Sequence, residues 1–223
     1  MRLGKLSAFV STFALSLLLL AYYPSVRDEV NWYAQRELCR AAAKGETTKM
    51  RALIFLGASP HGWNTTYDTL LFAARNGQTE AVRMLLDMGG EVDSRGLWLQ
   101  TPLMEAGRNG HVETTELLLS RGAELCATDK HGGTTLFQAA SVDQVHMVEL
   151  LLSHGAGACK DAESALSSAV ERGGRVELVK SLLSGGVDPR DVTATHLLLP
   201  LHEFAERNGD DEIAALLIRF GSR

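Results

Sequence analysis

Residues 101–123 read Thr101-Pro102-Leu103-Met104-Glu105-Ala106-Gly107-Arg108-Asn109-Gly110-His111-Val112-Glu113-Thr114-Thr115-Glu116-Leu117-Leu118-Leu119-Ser120-Arg121-Gly122-Ala123. The hydroxyl of Thr101 can accept from an orphan backbone N–H and cap a helix. Pro102 suits the first turn, where its missing N–H costs nothing. Leu103 and Ala106 give that short helix one apolar stripe. Gly110 can take positive φ where the chain reverses. Val112, Leu117 and Leu118 restart a helical period, and Gly122 supplies a left-handed stop. The stretch therefore predicts two short antiparallel helices, neither able to bury its apolar face alone.

Copies of this unit flank it. Thr134 opens Thr-Thr-Leu-Phe-Gln-Ala-Ala, 33 residues after Thr101, and reaches Gly155-Ala156. Asp68, 33 residues before Thr101, opens Asp-Thr-Leu-Leu-Phe-Ala-Ala-Arg-Asn-Gly and reaches Gly89. A hinge glycine and a stop glycine stand 12 apart at Gly45–Gly57, Gly77–Gly89, Gly110–Gly122 and Gly209–Gly221.

This period and pattern resemble the ankyrin repeat, from about Arg36 to Gly221. The resemblance implies an all-α ankyrin-repeat solenoid of five to six helix-turn-helix repeats with short β-hairpin fingers, and the apolar run at the amino end adds an N-terminal hydrophobic helix before it. The repeats fall near 36–67, 68–100, 101–133, 134–163, 164–198 and 199–223. The family's Thr-Pro-Leu-His box is nowhere complete: Met104, Phe137 and Cys39 stand at its His position, and Leu199-Pro200-Leu201-His202 lacks the Thr. The fifth copy, Ser164-Ala165-Leu166, is loose and carries Gly173-Gly174, so the last two repeats are expected to be less stable than the middle three.

The chain has 223 residues, 45% of them hydrophobic, enough for a substantial ordered array. Its net charge is −5, of which Arg2 and Lys5 contribute +2, so the remainder carries −7. That argues against nucleic-acid binding, which needs Lys and Arg to neutralise phosphates.

Residues 1–24 read as a signal-anchor or transmembrane segment. Arg2 and Lys5 precede an uncharged run from Leu6 to Tyr23, at the lower edge of what spans a bilayer. The run ends Ala21-Tyr22-Tyr23-Pro24, and tyrosines suit a membrane interface better than a signal-peptidase site. An uncleaved single-pass anchor through residues 6–23 is expected, with a cleaved secretory signal and then a buried soluble helix as the alternatives. In a bacterium this puts the repeats in the periplasm, tethered to the inner membrane. Residues 25–35 then form a juxtamembrane helix and N-terminal cap, with Val26, Val30, Tyr33, Leu38 and Ala41 near one stripe.

Cys126 and Cys159, 33 apart, occupy equivalent positions in adjacent repeats. Packed helices lie about 8–10 Å apart and a disulfide needs Cα atoms nearer about 5.5–6 Å, so no bridge is expected. Cys39 reads as a small buried group. No cysteine or histidine spacing matches a metal site, and neither a phosphate loop nor a nucleophile elbow occurs. His111 reads as a structural hinge residue. Asp210-Asp211-Glu212 reads as a helix start complementing the macrodipole. Asn64-Thr65-Thr66 is a glycosylation acceptor only if a eukaryotic secretory lumen receives it.

No catalytic residue, metal, cofactor or small-molecule substrate is expected. The resemblance implies contacts from finger tips and first-helix ends. By position these are Asn64 and Tyr67 before repeat two, Leu97, Trp98 and Gln100 before repeat three, and Lys130 and His131 before repeat four. First-helix ends add Arg75, Asn76, Arg108 and Asn109, with Ser141 and Val142 in repeat four. Trp98 is the leading anchor, the alternative being that it folds back on a neighbouring finger. Arg75 and Arg108 read either as solvated or as a basic strip for an acidic partner. The function expected is a monomeric, membrane-anchored scaffold for a protein partner, with two alternatives: an accessory or protective factor for a partner enzyme, or an enzyme using a histidine or cysteine.

Overall fold

A computed structural model describes residues 24–60, 68–190, 192 and 199–221. Six helix pairs follow in chain order: α1 (Pro24–Lys44) with α2 (Thr47–Phe55), α3 (Thr69–Arg75) with α4 (Thr79–Asp87), and α5 (Pro102–Arg108) with α6 (Val112–Ser120). Then come α7 (Thr135–Ser141) with α8 (Val145–Ser153), α9 (Ala162–Glu171) with α10 (Val176–Ser184), and α11 (Leu201–Arg207) with α12 (Asp211–Gly221). First helices pack on first helices from α1 to α11, so the pairs stack side by side. The anchor expected in residues 1–24 lies outside the described residues except for Pro24, and among the described residues no helix is long and apolar enough to cross a membrane.

The first helices meet closely because their touching faces are small. Ala41 and Ala42, Ala73 and Ala74, Ala106 and Gly107, and Ala139 and Ala140 are all buried. A Cβ added at Gly107 would stand 2.4 Å from the Thr135 methyl. The hinge glycines Gly45, Gly77, Gly110 and Gly209 all take positive φ, as do the stops Gly57, Gly89, Gly122 and Gly155, while Gly221 does not. In repeat four the hinge is Asp143, left-handed at φ 65°. Hinge glycines also leave room: the space beside Gly45 is filled by Gln78, that beside Gly77 by His111, and that beside Gly110 by Gln144. Each side chain following one hinge thus seats over the hinge before it.

Thr101 caps α5 as its sequence predicts, accepting from Met104 N at 3.3 Å while the Met104 sulfur accepts from Thr101 N at 3.5 Å. A thioether thus replaces the box histidine. Thr134 differs: its hydroxyl and N–H both donate to the buried Asp161 carboxylate, at 2.8 and 2.6 Å. Cys39 is a buried thiol 3.6 Å from the Thr69 hydroxyl, and burial pushes its pKa up. In α1, Leu38 and Ala41 are buried, but Tyr33, counted in the same stripe, is exposed.

Three expectations need correction. First, no β-strand forms among the described residues. The fingers are tight turns, closed by Gly96 N donating to Gln100 O at 2.9 Å and Asp129 N to Gly133 O at 3.0 Å. They are too short to build a ladder. Second, only eight residues separate α8 from α9, against 14 between α6 and α7. A short 3-10 turn (Ala156–Ala158) takes the place of a finger there.

Third, Cys126 and Cys159 are disulfide-bonded, with Cα atoms 5.4 Å apart. Helix spacing misjudges this pair, because both cysteines lie in the turns beyond the second helices. Chains stacked turn on turn approach more closely than packed helices. The bond matters because the apolar core is divided here. Buried side chains from Leu38 to Ala123 form one cluster and those from Leu136 to Leu217 another, with Leu125 against both. At this seam the buried hydroxyls of Thr115 and Thr135 meet no hydrogen-bond partner among the described residues, a cost of about 1–3 kcal/mol for each such group. The disulfide ties the two halves across it.

Cys126→Ser should lower the stability of the oxidised protein by about 2–4 kcal/mol, the range for a closed loop of this size. Chemical denaturation with and without reductant checks this. The difference should vanish once the wild type is reduced.

Candidate partner-binding surface

The surface is built on the finger preceding α5. Gly96 and Leu99 close it by a second turn bond, Leu99 N donating to Gly96 O at 3.0 Å. Arg95 braces it, its Nη1 donating to Leu99 O at 3.0 Å and to Thr128 O of the next finger at 2.9 Å. Leu99 pays for that shape with φ 60°, a region costly for a bulky side chain. The equivalent residue of the next finger is Gly132, at φ 84°, where the same turn is unstrained.

The turn displays Leu97, 61% exposed, and Trp98, 46% exposed. Trp98 is not loose. Lys130 Nζ lies 3.8 Å above its ring centroid, and the His131 ring stacks on it at 6.4 Å, 22° from parallel. Lys130 N also donates to Trp98 O at 2.9 Å. One side of Trp98 packs on the neighbouring finger and the rest faces solvent.

Between this finger and helices α3 and α5 lies a cavity of about 340 Å³. Leu71 and Phe72 give it an apolar wall, Leu97, Trp98 and Gln100 form the finger side, and Arg75, Glu105 and Arg108 line its polar edge. Five residues expected from sequence are thus brought together: Arg75, Leu97, Trp98, Gln100 and Arg108. Lys130 and His131 join them through Trp98. Arg75, itself exposed, approaches the half-buried Glu105 at 3.7 Å, a long and weak pair, whereas Arg108 forms no ion pair among the described residues.

Asn76 and Asn109 serve their own helices, donating to Phe72 O at 2.8 Å and Glu105 O at 2.7 Å. His111 is likewise structural, its Nε2 bonded to Arg75 O at 3.0 Å. Ser141 bonds back to Gln138 O, while Val142 is exposed. Asn64 and Tyr67 lie outside the described residues. Sequence reading missed Leu71, Phe72 and Glu105, whose positions at the ends of short helices look like ordinary scaffold. It also missed Arg95, although Arg95 and Thr128 sit 33 apart.

At the floor of the cavity Asp68 caps α3, accepting from Leu70 N at 2.9 Å and Leu71 N at 3.1 Å. Burial pushes its carboxyl above the ordinary value, against those bonds. Among the described residues no group of three or more His, Cys, Asp or Glu could hold a metal ion.

The sequence profile of the ankyrin repeats (3 copies) matches residues 38–129 and again residues 122–193. No curated protein shows a significant match to the chain.

Because the folded state favours protonated Asp68, its contribution to stability is complete below the ordinary carboxylate range and is lost as pH rises through the raised folded pKa. Asp68→Asn can keep both cap bonds without that loss, so its stability relative to wild type should climb as pH rises from the ordinary carboxylate range, about pH 4, upward. Asp68→Ala should lose the cap, about 0.5–2 kcal/mol. Thermal melts across that pH range test both.

Proposed function

Because the chain belongs to the ankyrin-repeat family, we propose that it is a non-catalytic scaffold that captures a protein partner in the cavity beneath the Gly96–Gln100 finger. The observation that carries this reading is the braced, strained finger presenting Leu97 and Trp98 beside Arg75 and Arg108. Aromatic anchors held rigid at a concave surface dominate interface energy. Two cations at its edge favour a partner segment that pairs an acidic residue with an apolar one. Specificity resides in the fingers, and the helix pairs hold them in register.

The chain is further proposed to be tethered by residues 6–23, with its repeats on the exported side of the membrane. The Cys126–Cys159 disulfide supports export, since such bonds persist in oxidising compartments and are rare in the cytosol. The uncharged run after Arg2 and Lys5 and the tyrosines at its end support a tether.

Trp98→Ala should weaken partner capture by a factor of roughly 30 or more, the loss of a hot-spot contact, while shifting the melting temperature little. A quantitative pulldown from native membranes beside a thermal melt checks this, and a large melting loss with unchanged capture would refute the anchor role. For topology, protease added outside the inner membrane should digest the repeats and leave a short membrane-bound fragment. Protection of the repeats in intact spheroplasts would refute export.

A further inference from the structure

A stack of repeats has two ends, and each needs a polar outer face to stay soluble. The end formed by α1 and α2 mixes exposed charged side chains with large exposed apolar ones. Phe55 is 90% exposed and Leu56 is 66% exposed, values unusual for large apolar side chains in a folded array. They sit at the carboxyl end of α2, which packs beside α1. Gln35 fixes that register, donating from Nε2 to Ser59 O at 3.1 Å and accepting from Ser59 N at 3.0 Å, while Lys49 reaches Glu37 at 3.0 Å. Phe55 and Leu56 fall between these two ties. On the α1 side the exposed residues are Trp32 and Tyr33, and the Arg36 guanidinium lies 5.5 Å from the Trp32 ring centroid.

The α1–α2 pair is basic as a segment. Residues 31–56 carry five Lys or Arg against two Asp or Glu, a net +3, whereas residues 57–223 carry 14 against 23, a net −9. Tyr33, Arg40 and Lys44 recur at a helical spacing opposite the buried Leu38, Ala41 and Ala42, and all three are exposed. Aromatic side chains flanked by cations are the composition of a membrane-interface surface, and net positive charge draws such a face to anionic lipid. The chain ahead of α1 is the uncharged run ending at Tyr23, directly adjoining Pro24.

We infer that the α1–α2 end face docks on an anionic bilayer surface, so that the acidic remainder of the array stands away from the membrane. The inference rests on the tether proposed above and adds to it a fixed orientation of the repeats. Docking of this kind sets the height and heading of the Trp98 finger relative to the lipid, which a tether alone leaves free.

The full chain, carrying Trp63→Phe and Trp98→Phe so that Trp32 is the sole indole, is reconstituted in phosphatidylcholine vesicles with and without phosphatidylglycerol. Flotation reads the tether, and quenching of Trp32 by brominated lipid reads the docking. Trp32 should be quenched several-fold more strongly when the anionic lipid is present. Phe55→Ser with Leu56→Ser should abolish most of that quenching while the chain still floats; circular dichroism checks that the variant is folded. A floating chain whose Trp32 stays unquenched, or whose quenching ignores the substitutions, overturns docking and leaves the tether standing. A chain that does not float overturns both. A detergent-solubilised dimer that dissociates on Phe55→Ser would assign the face to a second copy and also overturn the proposal.

Discussion

Everything in this array depends on lateral burial. A helix of seven residues such as α3 or α5 has one apolar stripe and no capacity to cover it. Its neighbours must do so, and they can come close only because the facing positions are alanine or glycine. The pair Ala106 and Gly107 meets α7 at a separation that leaves no room for one more carbon. Stability therefore accrues interface by interface, and it is lowest where an interface is worst. At the seam between the third and fourth pairs the apolar clusters separate, and two threonine hydroxyls there are buried with no hydrogen-bond partner among the described residues. The Cys126–Cys159 bond crosses the same seam at its turns.

The fingers obey a different rule. They bury little, so their order comes from cross-links rather than from a core. Arg95 spans two fingers by backbone carbonyls, Lys130 ties its own N–H to Trp98 O, and the aromatic ring is held between Lys130 and solvent. These contacts allow an apolar tip to stay extended where it would otherwise collapse. Leu99 holds a conformation that its repeat equivalent assigns to glycine. Strain retained in a display loop is consistent with selection for what the loop presents rather than for stability alone.

Much of this was legible in the residues. The 33-residue recurrence dictated paired helices, and Gly45, Gly77 and Gly110 marked their hinges because only a residue without Cβ turns cheaply there. Trp98 stood out as an apolar group with no helix to bury it. What was not legible depended on distances between turns. The Cys126–Cys159 bond was excluded by applying helix spacing to residues that are not helical. The cavity wall of Leu71 and Phe72 was hidden because periodicity marks a residue as apolar without saying whether a neighbour covers it. The absent finger after α8 was foreshadowed by the short span between Gly155 and Ala162, and Asp143 by the 12-residue interval to Gly155 where glycine was the expected hinge.

The seating of Gln78, His111 and Gln144 over the preceding hinges gives the array a direction. Each unit carries a plug on its leading edge and a socket on its trailing edge, and the two are complementary only in one order. A whole unit can then be duplicated or excised between matching hinges and the joint still closes. A cut made elsewhere leaves a plug without a socket. Growth and loss of repeats in a chain built this way are confined to modules of one length, and the spacing of the displayed fingers is inherited with them.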